Sequence, residues 1–171
     1  MLRRSEQYNE WKGQDLMRWG LAAAAAVLAL DQLAKLWVLG VFHAASSNVI
    51  VVLPVFNLAM AWNTGVSFGM FNSGSAGGTF IFAGVAAAIV AVLVWWLARA
   101  RKPGLQVAIG MVIGGALGNI ADRLVRGAVV DFLDFHLGAW HWFVFNLADA
   151  AICLGVLFIA LDGLFGEKRA N

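Results

Sequence analysis

The chain has 171 residues, of which 61% are hydrophobic and only 13% are charged. A soluble domain normally devotes about a quarter of its residues to charged side chains, so this composition indicates a membrane protein. The formal net charge of +2 gives no reason to expect a nucleic-acid partner, and Cys153, the single cysteine, excludes an internal disulfide.

The apolar residues fall into four runs, each long enough for an α-helix to cross about 30 Å of hydrocarbon. Because lipid offers the backbone no hydrogen-bond partners, the runs predict a helical bundle in a single integral membrane domain, residues 1–171. A long polar stretch precedes the first run and no convincing cleavage site lies near Ala44, so we expect a span there and not a cleaved signal peptide. The predicted spans are 17–39, 79–97, 105–124 and 142–165.

Lysine and arginine are unevenly distributed among the connections. They precede the first run, lie between the second and third, and follow the fourth, whereas residues 41–75 include none. By the positive-inside rule both termini are cytoplasmic, and the connections 41–75 and 126–141 face outward. Pro54 and Asn57 break the first of these into short apolar stretches, which predicts interfacial strands and turns. The predicted fold is an all-α membrane protein with four transmembrane helices and a small extracytoplasmic strand and loop subdomain, approximately residues 41–75.

Gly110, Gly114 and Gly118 recur at every fourth residue of the third run. Residues at this spacing share a helix face, and glycine there lets a neighbouring helix approach closely. We therefore expect close helix packing along this face and assign the glycines no further role.

Ionisable and amide side chains also occur within the predicted spans, where a charged group costs at least about 2.5 kcal/mol on insertion scales. Asp31 and Lys35 lie four residues apart, so they share a helix face as a possible ion pair. The third run carries a polar face of its own at helical spacing. Its members are Asn119, Asp122, Arg123 and Arg126.

The fourth run, beginning near Trp142, presents Asn146 and Asp149 about two turns inside the membrane. Since the helices alternate in direction, the predicted topology places polar residues from several elements at one depth. Such a cluster favours a functional site over structural hydrogen bonding. The residues on the outer side are Lys35, Asn63, Arg123, Asp131, Asn146 and Asp149.

The available side chains limit the chemistry. The serines of the outer connection have only His43 nearby, so no nucleophile and base pair is evident. A metal site could be drawn from Asp131, Asp134, His136 and His141, but the helical histidine pair of common zinc motifs is missing, and we expect no metal or other cofactor. Two neighbouring carboxyl groups share a proton and can act as acid and base together, which predicts peptide hydrolysis at membrane depth.

Five stretches combine these polar residues with small and apolar ones. They are DQLAK at 31–35, NTGVSF at 63–68, GGALGNIADR at 114–123, VVDF at 129–132 and FNLAD at 145–149. In this order they resemble the motifs of the bacterial lipoprotein signal peptidases, the signal peptidase II family. The resemblance extends from the first run to the last.

The resemblance implies an aspartyl endopeptidase of the bacterial inner membrane that removes signal peptides from prolipoproteins, cutting before a cysteine that carries diacylglycerol. It implies Asp131 and Asp149 as the catalytic pair, near the outer leaflet. The expected partners are the lipidated prolipoprotein and membrane lipid, with the enzyme working as a monomer. The supporting residues are Asp31, Lys35, Asn63, Gly65, Asn119, Asp122, Arg123 and Asn146.

Two details depart from a simple match. The family often has a proline shortly before the asparagine that corresponds to Asn146, and its absence here leaves the entry angle of the fourth helix open. Asp134 competes with Asp131 for the catalytic pair. On an extended chain the two face differently, and together with the motif match this favours Asp131.

The alternative function is a small proton-coupled transporter or channel. In that case Asp31, Asp122 and Asp149 would relay protons or bind a cation. Transport also requires a polar path into the cytoplasmic half, which the sequence lacks. The order of the motifs favours the peptidase.

Overall fold

A computed structural model of the chain describes residues 2–65 and 76–166, with side chains for 17–65 and 78–165. Residues 66–75 of the predicted outer connection, and the basic residues that follow the fourth run, lie outside the described residues. The elements in chain order are α1 (Leu2–Ala44), β1 (Val49–Leu53), β2 (Phe56–Asn63), α2 (Ala76–Leu97), α3 (Pro103–Arg126), β3 (Val129–Leu137), β4 (Trp140–His141) and α4 (Leu147–Gly166).

Each of the four helices contains a segment long and apolar enough to cross a membrane. Large apolar side chains such as Leu33, Ile81 and Leu157 are more than half exposed on these helices, as expected for faces that contact lipid. The predicted fold class, four spans with a small subdomain of strands, is confirmed. The candidate spans are Met17–Ala44, Gly78–Leu97, Pro103–Arg126 and Leu147–Phe165.

The fourth helix begins at Leu147 and not near Trp142 as predicted. The preceding chain is extended because Phe145 forms an isolated antiparallel bridge with Leu133. The Phe145 amide donates to the Leu133 carbonyl at 3.1 Å, and the Leu133 amide donates to the Phe145 carbonyl at 2.8 Å. A short run of apolar residues has no periodicity that separates strand from helix, so the sequence could not show this pairing.

The four strands form one antiparallel sheet in the order β1-β2-β3-β4. On its inner side, Val130 and Phe132 of β3 pack against Val38 near the end of α1. The predicted strands of the first outer connection are thus present, and β3 adds a strand from the second connection. The sheet closes the end of the helical bundle that carries the polar residues.

Helix α3 lies in the centre of the bundle and contacts α1, α2 and α4. A Cβ atom at Gly110 would overlap the Gly20 carbonyl of α1, and one at Gly114 would overlap the Ala24 carbonyl. At Gly115 a Cβ atom would lie 2.5 Å from the Ala148 carbonyl oxygen of α4. The predicted close packing along the glycine face is confirmed, with α1 as the neighbour.

Candidate active site

Asp131 lies on β3, opposite Ala61 of β2, and only 3% of its surface is exposed. Its two carboxylate oxygens accept hydrogen bonds from different elements. Asn63 Nδ2 donates to Oδ2 at 3.1 Å, and Asn146 Nδ2 donates to Oδ1 at 2.6 Å. The carboxyl group is therefore oriented by the end of β2 on one side and by the entrance to α4 on the other.

Asp149 lies in the first turn of α4, where Asn146 caps the helix. The Asp149 amide donates to Asn146 Oδ1 at 2.9 Å, and the Asn146 amide donates to Asp149 Oδ2 at 3.3 Å. This reciprocal arrangement is a capping box with aspartate at the third helical position. Asn146 therefore precedes the helix and does not lie two turns inside it, which corrects the predicted position. Its one side chain contacts both Asp131 and Asp149.

Asn119 of α3 links this pair to the helical bundle. Its Nδ2 donates to Asp149 Oδ1 at 2.8 Å, while its Oδ1 accepts from Asn146 Nδ2 and from Lys35 Nζ, each at 3.2 Å. Every polar atom of the amide thus has a partner, which holds the Asp149 carboxyl group in one orientation.

Behind Asn119 lies a buried charge cluster in which Asp31, Lys35 and Asp122 are all fully buried. Lys35 Nζ lies 2.8 Å from Asp31 Oδ2 and 2.8 Å from Asp122 Oδ2. Asp122 also pairs with Arg126, so the four charges balance. The predicted contact between Asp31 and Lys35 is present. Pairing of this kind is what allows charges to remain buried at membrane depth.

The same carboxylates orient the two elements that carry the aspartates. Asp31 Oδ1 accepts the Ala148 amide of α4 at 3.0 Å, and Asp122 Oδ2 accepts the Val130 amide of β3 at 3.2 Å. Gly118 makes room for this arrangement, because a Cβ atom there would lie 2.5 Å from Asp31 Oδ2. The charge cluster thereby fixes the residues adjacent to Asp131 and Asp149.

Gln32 also belongs to this cluster, although sequence reasoning assigned it no role. Its Nε2 lies 3.2 Å from Asp31 Oδ2, from Asp122 Oδ1 and from the Gly118 carbonyl, and its Oε1 accepts from Arg126. A polar amide directly beside Asp31 inside a predicted span was the signal that could have identified it.

The predicted polar face of α3 divides in two. Asn119 and Arg123 face a cavity near Asp149, whereas Asp122 and Arg126 face the charge cluster. Arg123 donates to the Gly65 carbonyl at 3.2 Å, and the Gly65 amide donates to Asn63 Oδ1 at 3.1 Å. Arg123 therefore connects the chain after β2 to the bundle.

The cavity has a volume of about 290 Å³ and lies between α2, α3 and α4. The polar part of the cavity wall consists of Asp149 and four other polar or backbone groups, and the rest of the wall is apolar. The cavity therefore places a carboxyl group beside a space that suits an apolar chain. The polar end has Asn63, Gly65, Asn119 and Arg123, and the apolar wall has Phe82, Val85, Ala86, Ile89, Val112, Ala116, Val129 and Ile152.

Burial and the nearby Asp149 carboxylate raise the pKa of Asp131 from 3.8 to about 6. Hydrogen bonds from Asn63 and Asn146 act in the opposite direction, because they favour the ionised form. The net result is an acid that exchanges its proton much closer to neutral pH than an ordinary aspartate does. This is a property suited to general acid–base chemistry.

Asp134 belongs to a different network from Asp131, as their alternation along the strand predicted. Its carboxylate contacts Asn57 and His141. Among the described residues no group of three histidine, cysteine or acidic side chains is arranged to hold a metal ion. Asp131 and Asp149 are linked through Asn146, which donates to both carboxylates.

Comparison with known proteins gives consistent matches over most of the chain. The family model described as signal peptidase (SPase) II matches residues 23–165. A lipoprotein signal peptidase of Nitrobacter hamburgensis is 43% identical over 159 residues, covering 91% of this chain and 97% of the relative. One from Serratia proteamaculans is 44% identical over 157 residues, covering 91% of each chain.

Solved structures give the same result for the fold. One described as a bacterial membrane enzyme superimposes with a TM-score of 0.75 at 26% identity, covering 89% of this chain and 91% of the other. A second with the same description has a TM-score of 0.70 at 27% identity, covering 85% and 92%.

Proposed function

Because the chain belongs to the signal peptidase II family, we propose that it is an aspartic endopeptidase that removes signal peptides from prolipoproteins, with Asp131 and Asp149 as its catalytic carboxyl groups. The observation that carries this assignment is the position of Asn146, whose side-chain amide donates to the Asp131 carboxylate and whose backbone amide donates to the Asp149 carboxylate. Two carboxyl groups held by one residue, with Asp149 lining the cavity, are the groups that acid–base hydrolysis of an amide requires.

In the proposed reaction the active form of the pair carries one proton, and repulsion between the two carboxylates favours that form by raising the pKa of Asp131. The ionised group takes a proton from the attacking water, and the protonated group polarises the scissile carbonyl. The tetrahedral intermediate then collapses as the leaving nitrogen receives a proton from the pair. Asp149 lines the cavity, so it is the member of the pair that substrate reaches directly.

Arg123 is proposed to contact the substrate backbone. It lines the cavity, and its buried Nε has no hydrogen-bond partner among the described residues. A donor left free in this position is suited to a substrate carbonyl oxygen. Asn63, Gly65, Asn119 and the charge cluster of Asp31, Lys35 and Asp122 are proposed to orient the reacting groups.

The proposed substrate is a prolipoprotein whose cysteine carries diacylglycerol, cleaved just before that cysteine. The apolar wall of the cavity, between membrane-spanning helices, supports lateral entry of a signal peptide and acyl chains from the bilayer. We place both termini in the cytoplasm and the carboxyl pair near the outer leaflet of the bacterial inner membrane, following the distribution of basic residues. The enzyme is proposed to work as a monomer.

The transporter alternative has no support. It required Asp31, Asp122 and Asp149 to carry protons or cations, but Asp31 and Asp122 are paired with Lys35 and Arg126 in the charge cluster. Charges paired in this way are held in place and do not exchange with a passing ion.

The test is cleavage of a lipidated prolipoprotein peptide by the purified full-length enzyme. We expect Asp131→Asn and Asp149→Asn each to abolish cleavage while remaining folded in detergent, and EDTA to leave the wild-type rate unchanged. Asp162→Asn is a matched control, because it removes a carboxylate from an exposed pair with Lys102. Full activity in either single variant would refute the catalytic pair, and loss with EDTA followed by rescue with zinc would refute metal-independent hydrolysis.

A further inference from the structure

The carboxylate of Asp134 has a set of partners that the proposed reaction does not use. It is buried, with 4% of its surface exposed. Asn57 Nδ2 donates to its Oδ2 at 2.9 Å, and His141 Nδ1 lies 2.9 and 3.0 Å from its two oxygens. These hydrogen bonds outweigh the effect of burial and lower the pKa of Asp134, so it is ionised at neutral pH.

The three residues of this group come from three successive strands. Asn57 is directly opposite Asp134 in the pairing of β2 with β3, and His141 lies on β4. The His141 ring also stacks on His136 of β3, with ring centroids 4.8 Å apart. One buried carboxylate therefore contacts side chains from both strands that neighbour β3.

An irregularity in the sheet separates Asp134 from Asp131. Leu58 pairs with Leu133, but the next pair is Ala61 with Asp131, so two residues of β2 oppose one residue of β3. This is a β-bulge. A slip of one residue at such a position would turn every following side chain of the strand to the opposite face, and Asp131 lies just beyond it.

We propose that the group of Asn57, Asp134 and His141 sets the register of β3 at this bulge and so positions Asp131 between Asn63 and Asn146. Asp134 is a positioning residue in this proposal and does not react with substrate. The inference rests on the proposed catalytic role of Asp131.

The physical reason is the cost of the alternative register. In a strand slipped against β2, Asp134 would lose Asn57 and keep only His141 of β4, so a buried carboxylate would lack one of its two partners, which is unfavourable. Apolar neighbours such as Leu58 and Leu133 supply less of this selectivity, because apolar packing tolerates rearrangement better than a buried polar group does. A buried polar pair can specify a register where apolar pairs do not.

The test compares Asp134→Leu, which removes both hydrogen bonds, with Asp134→Asn, which can retain them. An asparagine oxygen accepts from Asn57, and its amide donates to the other tautomer of His141. We expect Asp134→Leu to lower kcat about tenfold to a hundredfold with KM changed less than about twofold, since misplacing a catalytic group costs rate and not binding. We expect Asp134→Asn to remain within about threefold of the wild type in kcat.

The pH profile of kcat/KM distinguishes positioning from a loss of folded protein. If Asp131 leaves Asn63 and Asn146, it loses the hydrogen bonds that favour its ionised form, so its pKa rises and the profile moves to higher pH. A smaller amount of folded enzyme lowers the rate without moving the profile. Asn57→Ala, a milder change, is expected to move the profile in the same direction, and Asp162→Asn to leave it unchanged.

Two results would overturn the inference. An unchanged rate and profile in both Asp134→Leu and Asn57→Ala would show that the register does not depend on this group. An inactive Asp134→Asn would show that Asp134 itself reacts. Cleavage that persists in Asp131→Asn would instead refute the proposed function, whatever the Asp134 variants do.

Discussion

The replacement Asp131→Asn is expected to stabilise the folded protein at neutral pH while it removes activity. The pKa of Asp131 rises from 3.8 to about 6 in the folded protein because of burial and the Asp149 charge. An acid with a higher pKa in the folded state binds its proton more tightly there, so its ionisation opposes folding. The difference corresponds to about 3 kcal/mol at a pH well above 6.

Asparagine removes this cost but loses one hydrogen bond. Asn63 Nδ2 and Asn146 Nδ2 both donate to Asp131, and an amide has only one oxygen to accept them. The unsatisfied donor costs about 1 to 2 kcal/mol, which leaves a net gain on the order of 1 to 2 kcal/mol at pH 7.5. For a protein of this size that gain corresponds to an increase in Tm of about 2 to 8 °C.

The gain depends on pH in a defined direction. In the wild type, the free-energy cost of ionising Asp131 in the folded state reaches its full value above pH 6, is roughly half of that value at pH 5, and disappears below pH 3.8. The Tm difference between the variant and the wild type should therefore be close to zero at pH 5. Thermal unfolding followed by tryptophan fluorescence in detergent measures the Tm of the variant and of the wild type at pH 7.5 and at pH 5, with Asp162→Asn as the control. An equal Tm difference at the two pH values, or a variant less stable at pH 7.5, would refute the reasoning.

Two further replacements test the packing around the site, both measured as Tm in detergent. Gly118→Ala would place a Cβ atom 2.5 Å from Asp31 Oδ2, and we expect a loss of about 1 to 3 kcal/mol. Its control is Gly84→Ala, where an added Cβ atom meets no other part of the chain within 4 Å, so the change should be neutral or stabilising. Equal effects on Tm at the two glycines would contradict the packing argument. Lys35→Met leaves the buried Asp31 carboxylate without its cation and leaves Asp122 with Arg126 alone, and it should cost about 3 to 5 kcal/mol. A Lys35→Met variant as stable as the wild type would show that the cluster does not depend on that charge.

Much of the fold could be predicted from local sequence properties. The four spans follow from runs of apolar residues, since the thickness of the bilayer sets the length of a spanning helix. The close approach of α1 to α3 follows from the glycine spacing, and the contact between Asp31 and Lys35 follows from helical periodicity. Each of these inferences needs only neighbouring residues on one element.

The structural features that could not be predicted from the sequence depend on contacts between distant elements. The apolar residues before α4 are compatible with helix or with strand. They are extended in the structure because Phe145 pairs with Leu133 of β3. Asn57 carried no local signal of its role, because its partner Asp134 lies far along the chain. Gln32 carried only its position beside Asp31 inside a span, which could not show its contact with Asp122. The β-bulge that separates Asp131 from Asp134 likewise exists only in the pairing of two strands.

The sequence by itself determined that this is a membrane protein of four spans and that its polar residues match the signal peptidase II motifs in order. Only the tertiary structure decided how those residues divide between the carboxyl pair joined by Asn146, the buried charge cluster and the separate Asp134 group. The physical reason is that composition and periodicity describe one element at a time. A hydrogen bond or an ion pair depends on the distance between atoms from different elements, which packing and strand register set.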